Sequence, residues 1–173
     1  MNHLSHASDE AAADHETRAR PDDHAALRLW LRLLTCTNLI EGRIRSRLRS
    51  DFDITLPRFD LLAQLERNPQ GLKMGVLSKR MMVTGGNVTG ITDQLVEEGL
   101  VLRQDNPHDR RAYIVKLTPA GRRVFRQMAE AHEKWILELF GGLSEGEVAM
   151  LYKLLAQLKQ HVAATVAEPS PPA

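Results

Sequence analysis

Residues 99–119, "GLVLRQDNPHDRRAYIVKLTP", constrain this chain more than any other stretch. Through most of the sequence, apolar residues recur at spacings of three and four, the helical period. Here two apolar, β-branched runs, "LVLRQ" and "AYIVKL", flank the turn-forming Asp105, Asn106 and Pro107, the pattern of a β-hairpin. Gly99 stops the helical pattern before the hairpin, and Thr118 with Pro119 restarts one after it. A lone hairpin is at best marginally stable in water, so this one has to lean on the helices around it. Its tip also carries two adjacent cations, Arg110 and Arg111, which a surface turn does not need.

The helical patterns say what it leans on. From His24 to about Ser50 a long helix carries two apolar stripes, Leu27, Trp30, Leu31 and Leu34 on one and Leu29, Leu33, Cys36, Ile40 and Ile44 on the other. A helix with two stripes is covered from two sides, and the second cover is expected to be another copy of the chain. Next, Thr55 is placed to cap a helix with Pro57 in its first turn and Phe59, Leu62 and Leu65 on one face, stopped by "NPQG". A few extended residues and a short helix over about Val76 to Met82 follow. Thr84 then caps a helix from Gly85 to Glu98, with Val88, Ile91 and Leu95 inward and Gly99 at its end. Two short helices joined by a tight turn, preceded by a third, form a helix-turn-helix, and the hairpin directly behind them makes it winged. Thr118 caps a long helix bearing Val124, Met128, Trp135, Ile136 and Leu139. "GGLSEGE" breaks it, and Ser144 with Glu147 has capping-box spacing for a last helix carrying Val148, Leu151, Leu155, Leu158 and Val162. The expected fold is mainly α with a small β-wing: a winged helix-turn-helix over 51–118, flanked by long dimerisation helices over 24–50 and 119–166. Residues 1–23 and 167–173 read as disordered tails.

At 173 residues with a net charge of +1, the molecule is no polycation, so a nucleic-acid surface has to be a local patch. The single cysteine excludes an internal disulfide framework and fits a reducing compartment. With no run of about 18 apolar residues and no apolar segment in the first residues to act as a secretory signal, the expected location is the cytoplasm, away from membranes. The seven histidines lack metal-ligand spacing, and no nucleophile has a base near it in sequence, so no catalytic residue, metal or cofactor is expected. On a helical projection Gly86, Asn87, Thr89, Gly90, Asp93 and Gln94 lie away from the inward face of the Gly85–Glu98 helix, where they can meet a DNA groove. Two glycines at its N-terminus permit close backbone approach, and free N–H groups there favour anions. Lys79 and Arg80 are candidates for phosphate. The hairpin can reach the neighbouring minor groove, with Arg111 inserted, Asp109 holding its guanidinium and Arg110 on phosphate.

From about residue 26 to 163 the chain resembles the MarR family of bacterial transcriptional regulators. The resemblance is carried by "ITLPRFDLLAQL", "LSKRMMVTGGNVTGITDQLVEEGLV" and "DRRAYIVKLTPAGR". The family's wing pattern, Asp-x-Arg followed by an apolar strand and Leu-Thr, falls on Asp109, Arg111, Leu117 and Thr118. The resemblance implies a homodimeric repressor of a pseudo-palindromic operator in double-stranded DNA. Many relatives carry arginine in the place of Gly90, which shifts the base-reading role here to Asn87, Thr89, Gln94 and the wing. "MMVTGGNVTG" is similar to a branch that controls breakdown of aromatic acids, including hydroxycinnamates, and implies release by a small aromatic acid or its coenzyme A thioester. Trp30, Phe59 and Trp135 are the candidate aromatic walls, with Asn38, Arg43 and Arg45 of the run "NLIEGRIRSRLRSD" as polar partners for the anionic group. Some relatives sense peroxide through a first-helix cysteine. Cys36 falls on the apolar Leu33–Ile40 stripe, where a buried structural thiol is expected. Thiol sensing through Cys36, and a winged-helix protein-interaction module without DNA affinity, are the alternatives.

Overall fold

The computed structural model describes residues 25–167 apart from Val83, Pro107 and His108, and leaves undescribed the side chains of 106–112, 166 and 167. The expected tails lie outside the described residues, except that Ala167 closes the last helix. In chain order the elements are helix α1 (Ala25–Phe52), helix α2 (Leu56–Glu66), strand β1 (Leu72–Lys73), helix α3 (Met74–Met81), helix α4 (Gly85–Glu97), strand β2 (Val101–Asn106), strand β3 (Asp109–Leu117), helix α5 (Pro119–Phe140) and helix α6 (Glu145–Ala167). They form two compact units that divide inside α5, between Met128 and Ala129.

The first unit closes around leucines. Leu48 of α1, Leu61 and Leu62 of α2, Leu77 of α3 and Leu95 of α4 have no exposed surface, and Val115 of β3, Phe125 and Met128 of α5 complete the core. The sheet is antiparallel in the order β1-β3-β2. Val101 pairs with Leu117 and Arg103 with Val115, so alternate residues of the hairpin face the helices. The third strand, β1, adds Leu72 opposite Val115, and Gly71 makes the approach possible at φ +84 because any Cβ there would meet Ile114, Lys116 and the Val115 carbonyl. The sequence marks this stretch only as extended; pairing two residues onto a distant strand is a tertiary event with no local signature. The hairpin strands run further than expected, to Asn106 and from Asp109, with an irregular register at Asp105/Asn106. Helix α3 starts at Met74, two residues earlier than the apolar pattern implies.

Local capping chemistry mostly follows the sequence. Thr84 Oγ1 accepts from the Asn87 amide at the start of α4. Gly99 ends that helix in the left-handed conformation (φ +69), with its own N–H on the Val96 carbonyl and that of Leu100 on the Leu95 carbonyl, the Schellman pattern. Thr118 Oγ1 accepts from the Gly121 amide and donates to the Gly99 carbonyl, tying the start of α5 to the end of α4. Gly121 is required there: a Cβ would lie 1.9 Å from the Leu100 carbonyl oxygen. The exception is Thr55, which stands at the N-cap of α2 but makes no side-chain capping bond, leaving the entry to Pro57 and the extended backbone.

In the second unit, Trp135 is buried and meets His132 edge-on, ring centroids 6.4 Å apart, and burial pushes the His132 imidazole below its ordinary pKa. The capping box at the start of α6 is present: the Ser144 amide and hydroxyl both donate to Glu147 Oε2, at 2.8 and 2.7 Å. Those bonds hold the exposed Glu147 carboxyl below its ordinary pKa. Val148, Leu151, Leu155, Leu158 and Val162 of α6 are all exposed.

Candidate nucleic-acid interface

Helix α4 has two sharply different faces. Val88, Ile91, Thr92 and Leu95 are buried, with the Thr92 hydroxyl turned back onto the Val88 carbonyl at 2.7 Å. Asn87, Thr89, Gly90 and Gln94, together with Gly85 and Gly86 at the N-terminus, are exposed. A Cβ built on Gly85, Gly86 or Gly90 would meet nothing within 4 Å, so three of these positions offer bare backbone on an open strip. Thr89 Oγ1 donates to the Gly85 carbonyl at 2.9 Å, which occupies its hydrogen locally. The turn before α4 holds Met82 at φ +53, a conformation uncommon for a side-chain-bearing residue, with 94% of its surface exposed. Lys79 and Arg80 stand exposed in the last turn of α3, on the first helix of the motif.

The hairpin is fastened to α4 by an ion pair between Arg103 and Asp93. Strand parity explains it. Arg103 lies two residues after the buried Val101, so its side chain starts on the sheet face directed at the helices, and Asp93 is there to take it. A second pair, Arg58 with Glu98, ties the start of α2 to the end of α4. A third site, Glu66 with Arg122 at 3.2 Å and Arg126 at 3.8 Å, joins α2 to α5. The recognition helix and the wing strands are thus parts of one fastened head. Neither Arg103 nor its partner's pairing role was evident from the sequence, although the parity of 101 and 103 carries that information. The backbone of Asp109, Arg110 and Arg111 belongs to β3; the roles expected for their side chains lie outside the described residues.

The residues expected to hold an effector differ in their surroundings. Trp30 is 57% exposed on α1, while Phe59 is 6% exposed, its ring 5.5 Å from that of Phe125 in the core of the first unit. Trp135 lies in the second unit against His132. Asn38 and Arg43 are exposed on α1. A cleft of about 450 Å³ does open between α1 and the start of α2, with Ile54, Leu56 and Pro57 as apolar walls and Gly42, Arg45, Ser46 and Arg49 along α1. Arg45 is paired with Glu41 at 3.2 Å and Arg49 with Asp53 at 3.4 Å. The cations lining this cleft are Arg45 and Arg49, four residues apart on one face of α1. Nearby, burial and then the Glu41 carboxylate raise the Asp60 carboxyl above its ordinary pKa, against the opposing pull of Arg67. Cys36, expected in a packed stripe, is exposed in the single chain because its face of α1 is uncovered there. Among the described residues no group of three or more histidine, cysteine or acidic side chains is placed to hold a metal, and no helix is long and apolar enough to cross a membrane.

Comparison with known proteins agrees with this geometry. Residues 52–112 match the model of the MarR family. The fold is similar to that of a MarR family transcriptional regulator from Silicibacter pomeroyi, with 34% identity, a TM-score of 0.68, and 79% of this chain and 94% of that one covered. It is also similar to a cysteine-substituted MarR from E. coli solved in complex with operator DNA, with 28% identity, a TM-score of 0.68 and coverage of 77% and 94%. The transcriptional regulator PecS of Dickeya dadantii is 25% identical over 145 residues, 83% of this chain and 87% of that protein. A winged helix-turn-helix between long helices, with this level of identity to a regulator of the same architecture over nearly its whole length, places the chain in the MarR family of transcriptional regulators.

Proposed function

We propose that the protein is a repressor that binds a pseudo-palindromic operator as a homodimer. The observation that carries this reading is the exposed strip of α4, three glycines with Asn87 and Thr89 between them and Gln94 one turn on, on a helix fastened to a hairpin by Asp93 and Arg103. A helix with so little side-chain bulk on its open face can lie deep in a major groove while the hairpin reaches the adjacent minor groove. In this reading Thr84 and Gly86 bring the start of α4 to a phosphate, Lys79, Arg80 and Arg110 neutralise others, and Arg111, oriented by Asp109, enters the minor groove. The uncovered apolar face of α6 supports the second copy. Two copies related by a twofold axis would read half-sites about one helical turn apart, on the order of 10 base pairs. A mobility-shift titration tests this: two chains should bind one duplex, with affinity falling steeply as salt rises. Binding by one chain, or affinity indifferent to salt, contradicts it.

Release is assigned to the cleft between α1 and α2. Its volume lies in the range of small-molecule sites, its walls are apolar, and Arg45 and Arg49 can exchange their surface carboxylate partners for an anionic ligand. An aromatic acid, or its coenzyme A thioester with the phosphates on the two arginines, fits this chemistry, with the exposed Trp30, Asn38 and Arg43 further along the same helix. Titrating hydroxycinnamate and its thioester into the operator complex tests it. Release that persists at unchanged ligand concentration after loss of Arg45 and Arg49 together removes the site.

A further inference from the structure

Residues 85–97, "GGNVTGITDQLVE", contain no lysine and no arginine. The strong readers of guanine in the major groove are those two side chains, bidentate to O6 and N7. Arg103 of β2, a cation that reaches α4, is held by Asp93. Lys79 and Arg80 belong to the first helix of the motif, which in this docking geometry crosses the phosphate backbone. What α4 offers instead is amide and methyl chemistry. The exposed Asn87 and Gln94 can each donate to N7 and accept from N6 of adenine in the geometry an amide matches, with the amide nitrogen as donor. The hydroxyl hydrogen of Thr89 is occupied by the Gly85 carbonyl at 2.9 Å, so its methyl is the group suited to a partner, and the C5-methyl of thymine is the apolar group a base edge presents. The open space around Gly85, Gly86 and Gly90 lets these short side chains come within reach. Of the two carboxylates, which would select cytosine, Asp93 is engaged by Arg103 and Glu97 is the last residue of the helix, at the end away from the groove.

We infer that α4 reads A·T pairs through adenine N6/N7 and thymine methyl groups and makes no guanine contact, so that the major-groove core of each half-site is A·T. This rests on the operator-binding reading above. The test is selection of duplexes from a randomised library by the full chain, followed by base analogues in the selected site. Uracil for thymine at the position read by Thr89 removes only a methyl, and 7-deazaadenine removes only N7; one such change in each half-site is expected to weaken binding roughly 5- to 100-fold. Thr89→Ser, which keeps the hydroxyl, should bind the thymine and uracil duplexes alike. Asn87→Ala should lose the 7-deazaadenine effect while folding normally, since the side chain is exposed. Replacing every guanine by 7-deazaguanine should change nothing. A selected half-site with guanine at its core, or weakened binding to the 7-deazaguanine duplex, overturns the inference while leaving operator binding intact. Failure to select any duplex overturns both.

Discussion

The two units of the chain differ in how much of their own burial they finish. In the first, Leu48, Leu61, Leu62, Leu77 and Leu95 are sealed by their own chain, and ion pairs at Glu66, Asp93 and Glu98 fasten the elements to one another. In the second, Trp135 is buried but α6 leaves Leu151, Leu154, Leu155 and Leu158 exposed along its length. A contiguous exposed apolar stripe marks a surface for a partner. The contrast assigns different work to the two parts: the first buries its own core around the reading head, although Leu27, Leu29, Trp30 and Leu39 of α1 stay exposed, and the second offers the stripe on which the proposed second copy would pack.

The most damaging way to break this contrast is to charge the stripe. Leu151→Glu with Leu155→Glu should leave the chain monomeric and abolish operator binding, because a carboxylate buried unpaired costs several kcal/mol, while the far-ultraviolet circular dichroism of the chain is retained. Truncation sharpens the same comparison. Leu95→Ala should cost about 2–5 kcal/mol, and its destabilisation should not depend on protein concentration beyond the wild-type trend. Leu155→Ala should lower the midpoint of unfolding in a manner that grows on dilution, since it acts on association. Equal concentration dependence in the two variants would erase the distinction. At the wing, Arg111→Ala should weaken operator binding by about 1–3 kcal/mol with folding unchanged, measured by titration beside thermal melts. Wild-type affinity would make the wing a spectator.

The smallest expected effect is a pH dependence in the second unit. Burial lowers the His132 pKa in the fold, so the unfolded chain binds the proton more tightly. The stability this neutral imidazole contributes is complete above its ordinary value near 6.5 and is lost as pH falls from there through the folded pKa. His132→Gln should flatten that loss in a melting series from pH 7.5 to 5, about as far as the window reaches. An unchanged slope would mean that other groups carry it.

Much of the fold was legible in the sequence because its boundaries are written in local chemistry. Thr84, Gly99, Thr118 and the Ser144–Glu147 box each act within a few residues of themselves, and all four behave as their types require. The β1 strand, the Arg103–Asp93 pair and the demand for glycine at 121 were not legible, since each depends on a neighbour brought in by the tertiary fold. The exposed face of α4 could be placed from helical phase alone. Phase cannot tell that Phe59 turns into the core or that Arg45 and Arg49 are the arginines lining the cleft beside α2. Cys36 is exposed in the single chain, on a helix for which cover by a second copy is expected, and an apolar stripe does not say from which chain its cover comes.

Sedimentation equilibrium of the full chain, alone and with the selected operator duplex, decides whether the reading head works without a second copy. The chain mass is 19.5 kDa. The account requires a species of twice that mass in the absence of DNA and two chains on each duplex in its presence. A species of single chain mass that still occupies the operator with full affinity would show that the reading head needs no second copy, and the division of labour between the two units would be wrong.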